Sequence, residues 1–401
     1  MLEINQIYNM DCLEGLKLLD DNSVDSIVTD PPYELGFMGK KWDSTGIAYN
    51  VELWQECLRV LKPGGHLLAF GGTRTYHRMT CAIEDAGFEI RDCIQWLYGS
   101  GFPKSHNISK AIDKRLGGTP KRGRFLYKNG KTAGGERIGQ LAGGAKHYET
   151  IPDTEQARQW AGWGTALKPA NEPIVLARKP ISEKTIAENV LKWGTGGLNI
   201  DGCRIGDEER TYKGGTKLYE ERPWTKAQAN GERVRPTYKV SGRFPANVIL
   251  DEEAGRMLDE QSGVSKSNIR QPTGGQILNP ETGWNQNAMI DKTVRGYNDA
   301  GGASRFFYIA KASKKERGEG NNHPTVKPLS LIKYLITLVT PPEGVCLDPF
   351  EGSGTHALAC EELGFNYIGF ELDKEYYEIA KNRINKHIID NNLQDRYSLI
   401  T

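Results

Sequence analysis

The chain has no Cys-x-x-Cys pair, no apolar run long enough to cross a bilayer, and almost no net charge. Its seven cysteines, Cys12, Cys57, Cys81, Cys93, Cys203, Cys346 and Cys360, are scattered and odd in number. That pattern excludes the spaced ligand pairs of zinc fingers and a disulfide scaffold, so buried reduced thiols and no metal are the expectation. A transmembrane helix needs about 20 consecutive apolar residues, and Met1-Leu2-Glu3-Ile4-Asn5 has none of the features of a secretory leader. A soluble cytoplasmic protein with no membrane partner is therefore expected. The formal charge of +1 excludes any argument from the overall field, and an electrostatic footprint has to be local. What is present suffices for a core. The 401 residues, 38% hydrophobic, fit one large domain with insertions, or two domains.

Val24-Asp25-Ser26-Ile27-Val28-Thr29 is a short, β-branched apolar run that reads as a buried strand, and Asp30-Pro31-Pro32-Tyr33 ends it. The two prolines remove two N–H donors and hold φ at about −65°. The Asp30 carboxylate and the Pro31 carbonyl are then presented at the strand's C-terminal end, where open α/β sheets bind ligands. That pair can accept both hydrogens of a planar amino group, and Tyr33 offers a flat face to the ring that carries it. Such a constellation suits chemistry on the exocyclic amine of a base. A plain turn is the competing reading, since Asp and Pro are common turn residues. The other end of the chain decides between them.

Strand and helix alternate through the first hundred residues. Strands are expected over Ile4–Met10, His66–Phe70 and Phe88–Leu97, and helices over Cys12–Leu19, Val51–Leu61 and Tyr76–Ala86. Lys62-Pro63-Gly64-Gly65 carries the stop signals of the second helix. This alternation predicts a parallel α/β sheet. From Ser100 the character changes. Residues 104–147 hold eleven Lys/Arg against Asp113 and Glu136, with Phe125, Tyr127, His147 and Tyr148 interleaved. A solvated face is the ordinary meaning of a charge run. Aromatics among the cations, however, combine phosphate neutralisation with stacking, as nucleic-acid binders do. Lys121, Arg122 and Arg124 are the candidate contacts there. After a strand candidate at Glu172–Ala177, a second irregular tract runs from about Trp193 to Arg305, with Arg233, Arg235 and Arg270 as further candidates. A structureless loop of that length is foreign to a compact domain, so the tract reads as a recognition region with its own minor structure. Ser304–Lys311 reads as one more strand.

His323-Pro324-Thr325-Val326-Lys327-Pro328 opens a helix over Leu329–Val339. Strand Gly344–Asp348, the turn Pro349-Phe350-Glu351-Gly352-Ser353-Gly354-Thr355 and helix His356–Leu363 follow. Next comes strand Asn366–Phe370, ending at Glu371-Leu372-Asp373. Strand, Gly-x-Gly turn, helix, strand, acid is the plan for a ribose-containing cofactor, with Glu371 placed for the ribose hydroxyls. Ala357 stands where the third glycine of a dinucleotide fingerprint would fall, and there is no Lys-Ser/Thr pair for a triphosphate. A cofactor without a pyrophosphate fits better, S-adenosylmethionine foremost. The last helix, Lys374–Ile388, has no strand after it, and Ile4–Met10 supplies the missing one. The sheet is thus expected to be circularly permuted, bringing Asp11, Asp30 and Glu371 to one rim.

These residues resemble the exocyclic-amino DNA methyltransferases of the arrangement called beta, in which catalytic motif, recognition domain and cofactor motif follow in that order. Asp30-Pro31-Pro32-Tyr33 is similar to motif IV, Asp348-Pro349-Phe350-Glu351-Gly352-Ser353-Gly354 to motif I, and His323 to Pro328 to motif X. Asn9-Met10-Asp11-Cys12 resembles the motif III strand end and Glu371 the motif II acid. The resemblance covers roughly 1–100 and 304–401 and the strand near Glu172. It implies an α/β, Rossmann-like, circularly permuted S-adenosylmethionine-dependent methyltransferase fold with a large inserted target-recognition region. It also implies direct methyl transfer to the exocyclic N6 of adenine in DNA after base flipping, with Asp30, Pro31, Pro32 and Tyr33 catalytic. The implied cofactor site comprises Asp11, Cys12, Asp30, Thr325, Lys327, Asp348, Phe350, Gly352, Ser353, Gly354, Thr355, Glu371 and Leu372. In it Thr325 and Lys327 cradle the methionine end, and Asp11 reads the adenine amine. Glu351 departs from the Met or Cys often found at its position. His323 reads as positional, and Phe37 and Trp42 as base pocket or core.

The expected organisation is a catalytic half over 1–103 and a basic DNA-contact insert over 104–165. A return to the catalytic sheet over 166–192, a target-recognition region over 193–303 and a cofactor-binding half over 304–401 complete it. In this family Asp at the first motif position goes with adenine N6 and Ser with cytosine N4. Cytosine-N4 transfer stays the alternative, ahead of an RNA methyltransferase or a non-catalytic nucleic-acid-binding module. The expected partner is double-stranded DNA, and any companion restriction endonuclease would be a separate chain. Host cytoplasm, bacterial or phage-encoded, is the expected setting, with monomer and homodimer both open. Glu188-Asn189-Val190 matches a tripeptide of cytosine-C5 methyltransferases, but those need a Pro-Cys nucleophile and this chain has no Pro-Cys dipeptide. The match is read as chance, on a helix face.

Overall fold

The computed structural model describes residues 2–36, 41–99, 101, 105–128, 131–132, 146–213, 237–267, 299–311 and 326–391. The chain divides into two compact units, one of Met1–Leu97 with Glu172–Thr401 and one of Tyr98–Asn171.

The larger unit is built on a nine-stranded sheet. Its strands are β1 (Gln6–Tyr8), β2 (Val24–Thr29), β3 (Leu61–Phe70), β4 (Glu89–Leu97), β5 (Asn171–Arg178), β6 (Val248–Asp251), β7 (Tyr308–Ala310), β8 (Val345–Asp348) and β9 (Asn366–Phe370). They lie in the order β1-β9-β8-β2-β3-β5-β4-β6-β7. Four successive pairings, β1 with β9, β9 with β8, β8 with β2 and β2 with β3, are parallel. β5 runs antiparallel to β3, and β6 is parallel to both β4 and β7. The α/β class and the permutation expected from the sequence are both present, because the first strand pairs with the last. Parallel strands end on one edge, so Asp11, Glu371, Asp348 and Asp30 come together along the C-terminal rim of β1, β9, β8 and β2.

β2 is buried at every position, and each polar group in it finds a partner, as burial demands. Asp25 pairs with Lys62 Nζ at 2.6 Å and accepts from Val345 N at 2.8 Å. Ser26 Oγ lies 2.8 Å from Thr340 Oγ1. Helix Val51–Val60 starts at Asn50, whose side chain accepts from Glu52 N, and buries Leu53, Trp54, Cys57 and Val60 as one stripe. Those four join Leu16, Ile27, Leu67, Ile83 and Phe370 in a single core cluster. Removing such surface from water, at about 25 cal/mol per Å², is the main force holding the sheet.

Two expectations change. Lys62-Pro63-Gly64-Gly65 ends its helix but then belongs to β3, where pairing jumps from Val24↔Leu61 to Ser26↔His66. The extra residues form a bulge, with Gly64 at φ +82°. Buried Asn189 clamps it, donating to Pro63 O and Thr195 O at 2.8 Å each, while Thr195 Oγ1 donates to Pro63 O at 2.6 Å. The chance tripeptide thus contains a structural asparagine. Ser304–Lys311 is not one strand but a 3₁₀ turn, Ala303–Phe306, followed by β7. Asp259 accepts from Ser304 N and Oγ at 2.8 and 2.7 Å, and Arg305 donates to Gly302 O at 2.7 Å. Such side-chain bonds compete with a strand ladder.

The smaller unit has a helix, Ile108–Leu116, capped by Asn107 and stopped by Gly117 at φ +73°, and a second short helix, Glu155–Gln159. A three-stranded antiparallel sheet is formed by Lys121–Lys128, Lys131–Thr132 and Lys146–Ile151. Fully buried Asp113 organises it, accepting from Asp153 N, Thr154 N and Thr154 Oγ1 at 2.8 to 3.0 Å. Among the described residues, no helix is long and apolar enough to cross a membrane.

Candidate active site

Asp30 follows β2 as expected, and its two carboxylate oxygens have different surroundings. Oδ2 receives Lys327 Nζ at 2.6 Å. Oδ1 is buried and has no hydrogen-bond partner among the described residues. Lys327 Nζ also lies 3.4 Å from Glu172 Oε2, at the start of β5, and Tyr33 OH donates to that same oxygen at 2.8 Å. The ammonium sits 5.2 Å from the Tyr33 ring centroid and 4.9 Å from that of Phe70, within cation–π range. Burial alone would push the Lys327 pKa down, but the facing carboxylates of Asp30 and Glu172 outweigh it and the pKa is raised. Lys327 stays charged. Burial first, then the same two carboxylates, hold the Tyr33 hydroxyl well above its usual range, so it remains a neutral donor.

The turn after Tyr33 is pinned. Glu34 has φ +56°, uncommon for a non-glycine residue, and buried Asp43 accepts from Glu34 N and Leu35 N at 3.0 and 3.2 Å. Gly72 makes room for the aromatic ring, since a Cβ there would stand 3.2 Å from Tyr33 Cδ2. Pro31 is buried and Pro32 half-buried.

The glycine turn after β8 supplies the second wall. Gly352 has φ +59° and Gly354 φ +83°. At Gly354 a Cβ would lie 2.8 Å from Ala380 Cβ, so only glycine lets the turn and the helix Lys374–Asp390 approach this closely. Glu371 ties the turn to the end of β9, accepting from Gly352 N at 2.8 Å and Asp373 N at 2.7 Å. Burial raises its carboxyl to about 7. Asp348 accepts from Thr29 Oγ1 at 2.6 Å and Phe350 N at 2.9 Å, and burial followed by the Glu351 charge holds its carboxyl above the usual range. Glu351, the residue at odds with the family pattern, is committed to the helix Thr355–Leu363. It meets His356 Nδ1 and Ala357 N, each at 2.9 Å.

The remaining expected cofactor residues are differently engaged. Asp11 caps helix Cys12–Lys17, its Oδ1 accepting from Leu13 N and Glu14 N. Cys12 is a buried thiol, pushed up to about 12 mainly by burial. Phe350 packs against the core. The Ser353 and Thr355 hydroxyls accept from Arg383 at 3.2 and 3.3 Å. Leu372 is 70% exposed, and its carbonyl accepts from Asn9 at 3.1 Å. Cys346, His356 and Cys360 bring ligand-type atoms within 4.8 Å of one another in the core.

In the smaller unit Lys121, Arg122 and Arg124 are exposed on one strand, with the Arg122 guanidinium 5.5 Å from the Tyr148 ring centroid. Arg233, Arg235, Arg270, Thr325, His323 and Phe37 lie outside the described residues, and Trp42 is described only as part of the 3₁₀ turn Lys41–Ser44. Sequence reasoning missed Glu172 as a site residue. Its signal was a lone acid opening an otherwise apolar strand, Asn171-Glu172-Pro173-Ile174-Val175-Leu176.

Chemically, the rim offers one carboxylate oxygen that is unsatisfied among the described residues, an ammonium over the Tyr33 ring, and a turn shaped for close backbone approach. A family model described as DNA methylase matches residues 24–382. The Type II methyltransferase M.HindIII of Haemophilus influenzae is 24% identical over 95% of this chain and 95% of its own length. M.HpaI of Haemophilus parainfluenzae is 34% identical over 26% of this chain and 35% of its own. Among solved structures, the M1.HpyAVI–SAM complex aligns over 94% of this chain and 98% of its own, at 18% identity and a TM-score of 0.40. The cytosine-N4-specific PvuII DNA methyltransferase aligns over 95% and 86%, at 14% identity and a TM-score of 0.44. With the family model running through nearly the whole of it, from β2 into the last helix, this chain belongs to the N6/N4 DNA methylases.

Proposed function

We propose that this chain methylates the exocyclic N6 of adenine in duplex DNA. The observation that carries the reading is the buried Asp30 Oδ1 in Asp-Pro-Pro-Tyr, which has no partner among the described residues. Leaving a buried acceptor unsatisfied costs on the order of 1–3 kcal/mol, and an amino group entering the site supplies the missing donor. The Pro31 carbonyl is the second acceptor. With both amine hydrogens held, the nitrogen lone pair is oriented for attack, and positioning of that kind is a large lever on rate. Tyr33 stacks the extruded base, offsetting the few kcal/mol that flipping costs. Aspartate at the first motif position supports adenine over cytosine N4, because the family's cytosine pattern has Ser there.

S-adenosylmethionine supplies the electrophilic methyl group. The residues present fit it. Gly352 and Gly354 give a turn without side chains, Glu371 is the acid for ribose hydroxyls, and Asp11 stands on the same rim for the adenine amine. Cys12, Asp348, Phe350, Ser353, Thr355 and Leu372 frame that pocket, with Lys327 and Thr325 toward its methionine end. DNA backbone contact falls to the unit Tyr98–Asn171, which holds thirteen Lys/Arg against five Asp/Glu in a chain of net charge +1. Lys121, Arg122 and Arg124 lead there, and Arg233, Arg235 and Arg270 belong to the recognition region 193–303. The Type II methyltransferases among its relatives point to a separately encoded restriction endonuclease and a bacterial cytoplasm.

The test is nucleoside mass spectrometry of unmethylated DNA incubated with the protein and S-adenosylmethionine, with Asp30→Ala as control. N6-methyladenine that disappears in the control is expected. N4-methylcytosine overturns the base assignment, and no methylated nucleoside overturns the activity.

A further inference from the structure

We propose that Glu172 is a positioning residue for methyl transfer: it fixes Tyr33 and shares the Lys327 ammonium with Asp30, leaving the target amine a site of net negative charge. The proposal rests on reading this rim as the place where an exocyclic amine is methylated.

Asp30 and Lys327, 2.6 Å apart, would by themselves be a neutral pair. A carboxylate bound to an ammonium is a weakened acceptor. Glu172 Oε2, 3.4 Å from the same Nζ, adds a second carboxylate, so the three side chains together carry one negative charge. They are sheltered, with side-chain exposures of 24% for Asp30, 20% for Glu172 and 9% for Lys327, and charge counts for more in such surroundings than in water. As the amine's lone pair forms the new N–C bond, the electrons of the old S–C bond leave with sulfur. The nitrogen becomes cationic until it loses a proton. A net negative cluster favours that change, and without Glu172 the remaining Asp30–Lys327 pair would be neutral.

The second contribution is geometric. Tyr33 OH donates to Glu172 at 2.8 Å, and Gly72 leaves room for the ring, since a Cβ there would stand 3.2 Å from it. Anchored at its hydroxyl, the ring is held for a base to stack on. Among the described residues, the charged and titratable groups facing Glu172 here are Lys327, Asp30 and Tyr33.

Glu172→Gln separates charge from shape, since its amide oxygen still accepts from Tyr33. With unmethylated plasmid DNA and saturating S-adenosylmethionine, kcat should fall about tenfold or more, while the DNA KM and the cofactor Kd by calorimetry stay within about threefold. Glu172→Asp should recover part of the loss. A Glu172→Gln enzyme with the wild-type kcat overturns the proposal. So does one whose Tm, DNA affinity and cofactor affinity fall together with kcat. A wild-type chain that leaves DNA unmethylated overturns the underlying reading instead.

Discussion

Thr29 Oγ1 donates to Asp348 Oδ1 at 2.6 Å, a bond between residues 319 positions apart at the adjoining ends of β2 and β8. It is buried, and it ties the strand that carries the amine-facing motif to the strand that carries the glycine turn. Thr29→Val keeps the shape and removes the donor, leaving a buried carboxylate oxygen short of one bond. A loss of about 1–3 kcal/mol in unfolding free energy is expected by denaturant titration, with weaker S-adenosylmethionine binding by calorimetry.

Asp30→Asn should retain the fold but remove the charge and exchange one of the two acceptor oxygens for an N–H donor, so that with the amide oxygen on Lys327 the position of Oδ1 no longer accepts. Turnover on DNA should drop by roughly 10²–10³, the scale seen when one preorganised polar group is removed from an active site. Cofactor affinity measured alongside separates a lost amine contact from a lost pocket.

Tyr33→Phe keeps the stacking face and gives up one hydrogen bond to Glu172, a change of about 1 kcal/mol. Tyr33→Ala removes the face as well, and stacking is worth about 1–3 kcal/mol per base. The Ala variant should therefore show much the weaker fluorescence of flipped 2-aminopurine in substrate DNA. Equal signals from the two variants would count against stacking on Tyr33.

Gly354→Ala places a methyl where Ala380 Cβ is 2.8 Å and Ala380 Cα 2.9 Å away, at φ +83°. The left-handed backbone alone costs about 1–2 kcal/mol. Thermal unfolding should shift down, and cofactor binding should weaken further than stability does, because the turn itself has to move.

Glu371 gives a pH signature. Its carboxyl is raised from 4.5 to about 7 by burial, so the folded state binds the proton more tightly than the unfolded chain. That contribution is fully present below pH 4.5 and is lost as pH rises through 7, amounting to about 3 kcal/mol in all. Stability of the wild-type protein relative to Glu371→Gln should therefore fall between pH 5 and pH 8. A constant difference across that range would remove the assignment.

The strands and turns that carry the site were legible because their signals are local. A β-branched run stopped by two prolines, a Gly-x-Gly turn between a strand and a helix, and an acid closing the next strand all speak within a few residues. The permutation expected from Ile4–Met10 is present in the pairing of β1 with β9. Glu172 was not legible, because its meaning lies in Tyr33 and Lys327, 139 and 155 positions away. Lys327 was placed by resemblance at the methionine end, and its ammonium lies against Asp30. The turn at Ala303–Phe306 was hidden for the same reason, its cause being side-chain bonds to Asp259 and Asp299. The bulge at Pro63-Gly64-Gly65 depends on Asn189, on a helix well downstream.

The pairing of Gln6–Tyr8 with Ile368–Phe370 sets a clock on the molecule's own synthesis. A ribosome extends a chain by about 5–20 residues per second, so β1 waits roughly 20–70 s for its neighbour β9 to emerge. Asp30 waits nearly as long for Lys327, and Thr29 for Asp348. A nascent or prematurely terminated polypeptide thus has no assembled rim. The wiring of the sheet makes the rim contingent on translation through β9, so that a polypeptide stopped before Ile368 lacks the pairing that completes it.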